Sequence, residues 1–137
     1  DQTQHWYFSR FPRIKKWQED LKNQVIKHRT VRNVFGYEFQ FTGRIEGTIF
    51  NEAAAWIPQS TVACLINRAY VKIDAEYPWC NILLQVHDSL AGQYPTDMGE
   101  EAKRLIVQAA EIELPYADPL IIPVGVKTSE RSWGACA

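Results

Sequence analysis

Ile82-Leu83-Leu84-Gln85-Val86-His87-Asp88-Ser89-Leu90 is the stretch on which the reading of this chain turns. An apolar β run ends abruptly here in an imidazole beside a carboxylate, where a Gly or Asn turn is the ordinary ending of a buried strand. A carboxylate at a tight strand reversal is held by the ladder on either side, so its oxygens project with little conformational freedom. That placement suits a hard divalent cation. A turn-stabilising aspartate beside a solvated histidine accounts for the same nine residues, so the flanking sequence has to decide.

Working outward, Asn81 to Val86 reads as a strand and Ser89 to Tyr94 as a second one pairing with it. Upstream, Pro78 closes a long helix over Glu52 to Ala75, capped by Asn51 and kinked at Pro58, where the i to i−4 hydrogen bond is lost. Downstream, Asp97 is expected to cap a helix reaching about Glu113, followed by a loop from Pro115 to Pro119, a strand from Leu120 to Val126 and a tail. Near the start, Trp6, Tyr7 and Phe8 belong to a short helix. After Pro12 a second helix carries the stripe Ile14, Trp17, Leu21, Val25, a core face with Lys15, Lys16, Lys22 and Lys27 outside it. Ser9 is placed to cap this second helix. Thr30 to Phe41 switches to period two and reads as a hairpin turning near Gly36, with a loop from Thr42 to Thr48 beyond it. Strands joined by hairpins between long helices give an α+β domain, an antiparallel sheet with helices on one face.

The 137 residues fit one domain or a piece of a larger protein, and an apolar fraction of 46% with 23% charged residues excludes a disordered chain. No run of eighteen apolar residues exists, and the chain starts at Asp1 without a signal-like segment. Neither a membrane span nor a secreted precursor is therefore expected, and a cytoplasmic location is, the host cytoplasm if the source is viral. Cys64, Cys80 and Cys136 form no C-x-x-C pair, which argues against a structural zinc site. The net charge of −1 hides an asymmetry: through Arg44 nine basic residues face four acidic ones, leaving +5 there and −6 in the remainder. Such a division fits a polyanion approaching one side of the molecule, or simply a solvated helix face.

Taken together, these pieces resemble the C-terminal part of family A, or DNA polymerase I type, DNA polymerases. Tyr7-Phe8 followed by Phe11-Pro12 and a basic helix is similar to the segment after the nucleotide-binding helix of the fingers. Thr30 to Tyr37 is similar to the family's Gly-containing hairpin, and Asn51 to Leu65, with Gln59-Ser60-Thr61, to its Gln-containing helix. Leu84 to Leu90 resembles motif C, in which His-Asp sits at a palm hairpin, and Leu120 to Val126 with Trp133-Gly134-Ala135 resembles the closing strand and C-terminal Trp. The pattern Asn51-Glu52-Ala53 with Pro58-Gln59-Ser60-Thr61 is closest in kind to bacteriophage members.

The resemblance implies a partial polymerase domain, α+β, with an antiparallel palm-type sheet packed with long helices. Residues 1–50 would be the end of the fingers, with the basic helix and hairpin, and residues 51–137 the Gln-containing helix and C-terminal palm. It implies two-metal nucleotidyl transfer from a dNTP to a primer 3′-hydroxyl, with Asp88 as one of two carboxylates holding Mg2+. His87 would lie near the primer terminus as the second catalytic residue of this chain. Gln59 would reach the minor groove of the new base pair, where acceptors occur on every pair and a neutral donor checks geometry without reading sequence. His87, Lys15, Lys16, Lys22, Arg32 and Asn51 are further expected DNA contacts. Nothing in residues 1–81 looks like the motif A carboxylate, and the Lys-and-Tyr nucleotide-binding helix is missing too. The expected partners are therefore primer-template DNA, dNTP, and the upstream polymerase portion or a separate N-terminal chain. Ser89 stands where motif C carries Glu, and Asn51 and Ala55 align with the Arg and Asn that precede the Gln in many relatives. Two other readings compete: a noncatalytic nucleic-acid-binding module, and a hydrolase using His87 and Asp88 with Ser89 or a cysteine as nucleophile.

Overall fold

A computed structural model describes residues 2–136, which form two compact units, Asp1–Ser60 and Thr61–Ala137. Both mix helices with short antiparallel ribbons, so the chain is α+β. The expected single sheet is not formed among the described residues. Instead there are three separate two-stranded ribbons.

In the first unit, α1 (Gln2–Arg10) and α2 (Pro12–His28) are divided at Phe11 and Pro12, as proline at a helix start requires. The cap of α2 is Phe11, not Ser9: the Ser9 hydroxyl donates instead to the Trp6 carbonyl at 2.8 Å, inside α1. Of the expected core stripe only Leu21 and Val25 are buried, while Trp17 lies 41% exposed. The stripe therefore enters the core only from its middle onward. Arg29 ends α2 in the left-handed conformation, its N–H bonded to the Val25 carbonyl, and redirects the chain into a hairpin. Strands β1 (Thr30–Arg32) and β2 (Glu38–Gln40) pair in the expected region, with Val31 opposite Phe39 and Gly36 at φ +88 in the loop. Leu21, Val25, Val31 and Phe41 close a small core with Ile49 and Ala53.

Helix α3 (Gly47–Glu76) starts before the expected cap, so Asn51 lies inside its second turn, and the helix continues through Pro58. Residues 61–76 of it, together with Cys80 and α4 (Gly99–Ala110), bury Ala69, Ile73, Ala109 and Ala110 in the core of the second unit. Asp97 does not cap α4. It sits in a 3-10 turn, Thr96–Met98, and Met98 occupies the cap position without a side-chain bond. The first turn of α4 carries Glu100 and Glu101, which suits the positive end of its dipole. The Arg104 guanidinium bonded to Glu101 holds that carboxyl below the usual range, and Glu100 raises Lys103. The strand expected over Leu120 to Val126 shrinks to β6 (Leu120–Ile121), paired with a segment the sequence did not flag, β5 (Glu113–Leu114). Leu114 is fully buried there.

Candidate functional site

The motif that opened the sequence reading forms a hairpin. Strand β3 (Asn81–Val86) pairs antiparallel with β4 (Ser89–Gln93), and Val86 opposite Ser89 leaves His87 and Asp88 as a two-residue turn. His87 has φ 53, whereas Asp88 is not among the residues with positive φ. That is the φ pattern of a type II′ turn, whose first central position favours glycine. Histidine tolerates it better than most side chains, at a strain on the order of 1 kcal/mol. Strain of this kind collects at functional positions, and here it lifts an imidazole and a carboxylate to the tip of a ladder, both exposed.

Three contacts fix this ribbon. The Ser89 hydroxyl donates to the Val86 carbonyl at 2.8 Å, bracing the turn from one side to the other. Gln85 donates through Nε2 to Asn67 Oδ1 at 3.0 Å and ties β3 to α3. At the open end, a Cβ on Gly92 would come within 2.8 Å of the Asn81 carbonyl oxygen, so this position needs glycine. The register shifts between Ile82 and Leu84, leaving Leu83 as the extra residue of a bulge.

One expectation about this strand is overturned. The apolar run predicts a buried strand, yet Leu83, Leu84 and Val86 are 59%, 48% and 39% exposed. A two-stranded ribbon cannot bury both faces by itself, and only Ile82 and Leu90 of its apolar side chains pack against the core of the second unit. Hydrophobicity marked the strand correctly but not its cover.

Among the described residues no group of three or more His, Cys, Asp or Glu side chains converges to hold a metal ion, at Asp88 or elsewhere. Magnesium is commonly held by one or two carboxylates together with substrate phosphates and water. An exposed carboxylate on a braced turn fits as one such ligand and does not suffice as a site. Ser89 contributes no carboxylate, and its hydroxyl is engaged with the backbone rather than with His87. A nucleophile and base do not converge at this turn, which removes the geometric support for a hydrolase. Burial pushes the Cys80 thiol up, away from thiolate chemistry.

The other expected contacts lie in the first unit. Gln59 is exposed on α3, next to an anchoring network that sequence reasoning did not find. Asn33, 4% exposed, accepts hydrogen bonds through Oδ1 from the Phe35 and Tyr37 N–H groups at 3.0 and 3.1 Å. Its Nδ2 donates to Ser60 Oγ at 3.1 Å, and Ser60 donates to the Ile57 carbonyl at 3.1 Å. The loop of the β1–β2 hairpin is thus fastened to the helix residue adjacent to Gln59. An Asn heading a turn was the available signal.

Lys15 and Lys16 are exposed on α2, and Asn51 is exposed on α3. The Lys22 ammonium lies 5.8 Å from the Phe50 ring centroid, one residue before Asn51, in cation–π contact. Arg32 is paired with Glu38 across the hairpin, so part of its charge is already answered. The structure joins Lys22 with the Phe50–Asn51 turn and the hairpin with the Gln59–Ser60 turn.

The sequence profile of DNA polymerase family A matches residues 1–135. A thermostable DNA polymerase I of Thermus filiformis is 32% identical over 137 residues, covering 93% of this chain and 16% of that protein. The corresponding protein of Thermus aquaticus is 31% identical over 88% of this chain and 15% of its own length. A DNA polymerase I of Helicobacter pylori is 32% identical over 61% of this chain and 10% of its own. The chain spans about one sixth or less of the length of these relatives.

Proposed function

The chain belongs to DNA polymerase family A, and from that premise we propose that it forms the C-terminal part of a template-directed DNA polymerase. In this reading residues 1–50 close the fingers and residues 51–137 supply the Gln-containing helix and the motif C hairpin of the palm. The observation that carries it is the His87-Asp88 turn: a strained reversal between paired strands presenting a carboxylate at an exposed tip.

Asp88 would contribute one of the two carboxylates that hold magnesium, the second coming from an upstream portion or a partner chain. Magnesium, when bound, supplies the charge that makes a primer 3′-hydroxyl nucleophilic and neutralises the leaving pyrophosphate. His87 positions the primer terminus as a hydrogen-bond partner. Gln59 contacts the minor groove of the terminal pair from a helix residue whose neighbour, Ser60, is held by Asn33. Lys15, Lys16 and Lys22 neutralise phosphates, and Arg32 does so if Glu38 releases it. Asn51 sits beside the Lys22–Phe50 contact and serves the same DNA surface.

The test is reconstitution. This chain is combined with an upstream polymerase fragment carrying the motif A carboxylate, and magnesium-dependent primer extension is measured. Extension with both pieces, with neither alone, and its loss in Asp88→Asn while DNA binding persists is the expected result. Extension that survives Asp88→Asn would remove the catalytic assignment. A noncatalytic DNA-binding module is the second reading, favoured by the lone carboxylate at the turn. It predicts DNA binding indifferent to magnesium and to Asp88→Asn, with no extension by any combination.

A further inference from the structure

Helix α3 carries a proline in its interior, Pro58, one residue before Gln59. Proline has no N–H, so the Ala54 carbonyl receives no i to i−4 bond from it, and the ring crowds that carbonyl. The turn that offers Gln59 is thus held less firmly by its backbone than the rest of the helix. Side chains make up the difference. Ser60 donates through Oγ to the Ile57 carbonyl at 3.1 Å, within the same turn, a bond of the kind that sets the local bend of a helix. The same Oγ accepts from Asn33 Nδ2 at 3.1 Å. Asn33 is itself held within its own loop. Its backbone N–H donates to the Tyr37 carbonyl at 2.9 Å, its carbonyl accepts from the Gly36 N–H at 3.0 Å, and Oδ1 takes the Phe35 and Tyr37 N–H groups. Gln59 therefore stands between a residue whose φ is locked by its ring and one whose side chain is clasped to a buried amide.

We propose that Asn33 is a positioning residue for Gln59: through Ser60 it sets the turn of α3 that Pro58 weakens, and with it the direction in which the Gln59 amide meets the terminal base pair. This role rests on the reading of Gln59 as a minor-groove contact under the proposed function. A hydrogen bond to a base edge is selective only while donor and acceptor stay within about 3.2 Å and nearly linear, so a turn free to shift by about 1 Å forfeits the selectivity. A merely structural role would lower the folded fraction and slow extension of every primer terminus alike. Positioning instead alters the ratio between a paired and a mispaired terminus, because a paired one presents its minor-groove acceptor where the aligned amide reaches it.

The experiment is single-turnover primer extension by the full chain reconstituted with an upstream polymerase fragment, comparing paired with mispaired primer termini under conditions where each variant is folded by its urea curve. Ser60→Ala, which leaves Asn33 bonded to its own loop, and Asn33→Ala should each lower the paired-to-mispaired rate ratio about fivefold, the worth of one aligned hydrogen bond. Ser60→Thr, which keeps a hydroxyl at that place, should stay within about twofold of the parent. Gln59→Ala should lower the ratio at least as far, and adding Asn33→Ala to it should change it no further, since Asn33 acts through Gln59. In the chain alone, Ser60→Ala should speed amide exchange at Gln59 and Ser60 by at least about fivefold and leave α4 unchanged. A ratio unmoved by Ser60→Ala and Asn33→Ala, while Gln59→Ala lowers it, overturns the positioning role and leaves the contact by Gln59 standing. A ratio unmoved by Gln59→Ala removes that contact and the positioning role with it. Where no combination extends a primer, the exchange readout still decides: acceleration upholds the hold of Asn33 and Ser60 on the turn, and unaltered exchange overturns it.

Discussion

Replacing Asn33 with alanine should destabilise the first unit far more than its position in a loop suggests. The side chain accepts two backbone N–H bonds and donates to Ser60, and it is 4% exposed. At about 1 kcal/mol net for each intramolecular hydrogen bond, three lost bonds come to about 3 kcal/mol. That is a large part of the roughly 5–15 kcal/mol that holds a domain together. Urea unfolding followed by tryptophan fluorescence reads this out, since Trp17 and Trp56 both lie in this unit. With a urea dependence of about 2 kcal/mol per molar, the midpoint should fall by about 1.5 M at unchanged slope. Ser60→Ala removes two bonds, the one from Asn33 and the one to the Ile57 carbonyl, and should lose about 2 kcal/mol, and the double variant should be less destabilised than the sum by about 1 kcal/mol, because the Asn33–Ser60 bond is removed twice. A loss under 1 kcal/mol for Asn33→Ala, or strict additivity in the cycle, would refute the claim that this network fastens hairpin to helix.

Three further outcomes follow from the geometry. His87→Gly relaxes the left-handed turn and should stabilise the β3–β4 hairpin by about 1 kcal/mol in chemical denaturation, whereas destabilisation would mean that the imidazole makes contacts worth more than the strain. Gly92→Val places a Cβ within 2.8 Å of the Asn81 carbonyl oxygen, and the backbone must give way, so a loss of about 1–3 kcal/mol is expected, with increased amide exchange along Asn81 to Val86. Glu101 has its carboxyl lowered, first by the hydrogen bond from Arg104, so its contribution to stability is present above the usual carboxylate pKa and disappears as pH falls through the lowered value. Glu101→Gln should flatten that acid limb in thermal melts at low salt, and the difference from the parent should vanish in 0.5 M salt, added as the screening condition on the order of the molar range.

How far the sequence could be read depended on whether the signal was local. The β3–β4 hairpin was legible because a β-rich run met a polar pair and resumed, and the strand bounds of Asn81 to Val86 emerged from that alone. The β1–β2 hairpin was legible for the same reason, with Gly36 at positive φ where the turn was placed. Caps failed because Ser9, Asn51 and Asp97 are good capping residues that happen to stand within or before helical turns whose ends are set by packing. Strand β5 was missed because two residues cannot show a period, and it exists only by pairing with Leu120 and Ile121. At the site, the exposure of His87 and Asp88 follows from a turn. The role of Asn33 does not, because its partner Ser60 lies 27 positions away and nothing in either neighbourhood names the other.

The bare leucines of β3 carry a practical consequence. One margin of that strand has no hydrogen-bonding neighbour among the described residues, and Leu83, Leu84 and Val86 show through on its surface. Copies of the isolated chain can therefore zip together edge to edge as concentration rises. Purified stocks should have a solubility ceiling that a lysine at position 83 raises, so binding assays on the lone chain belong at low micromolar dilution, where such clumping is slow.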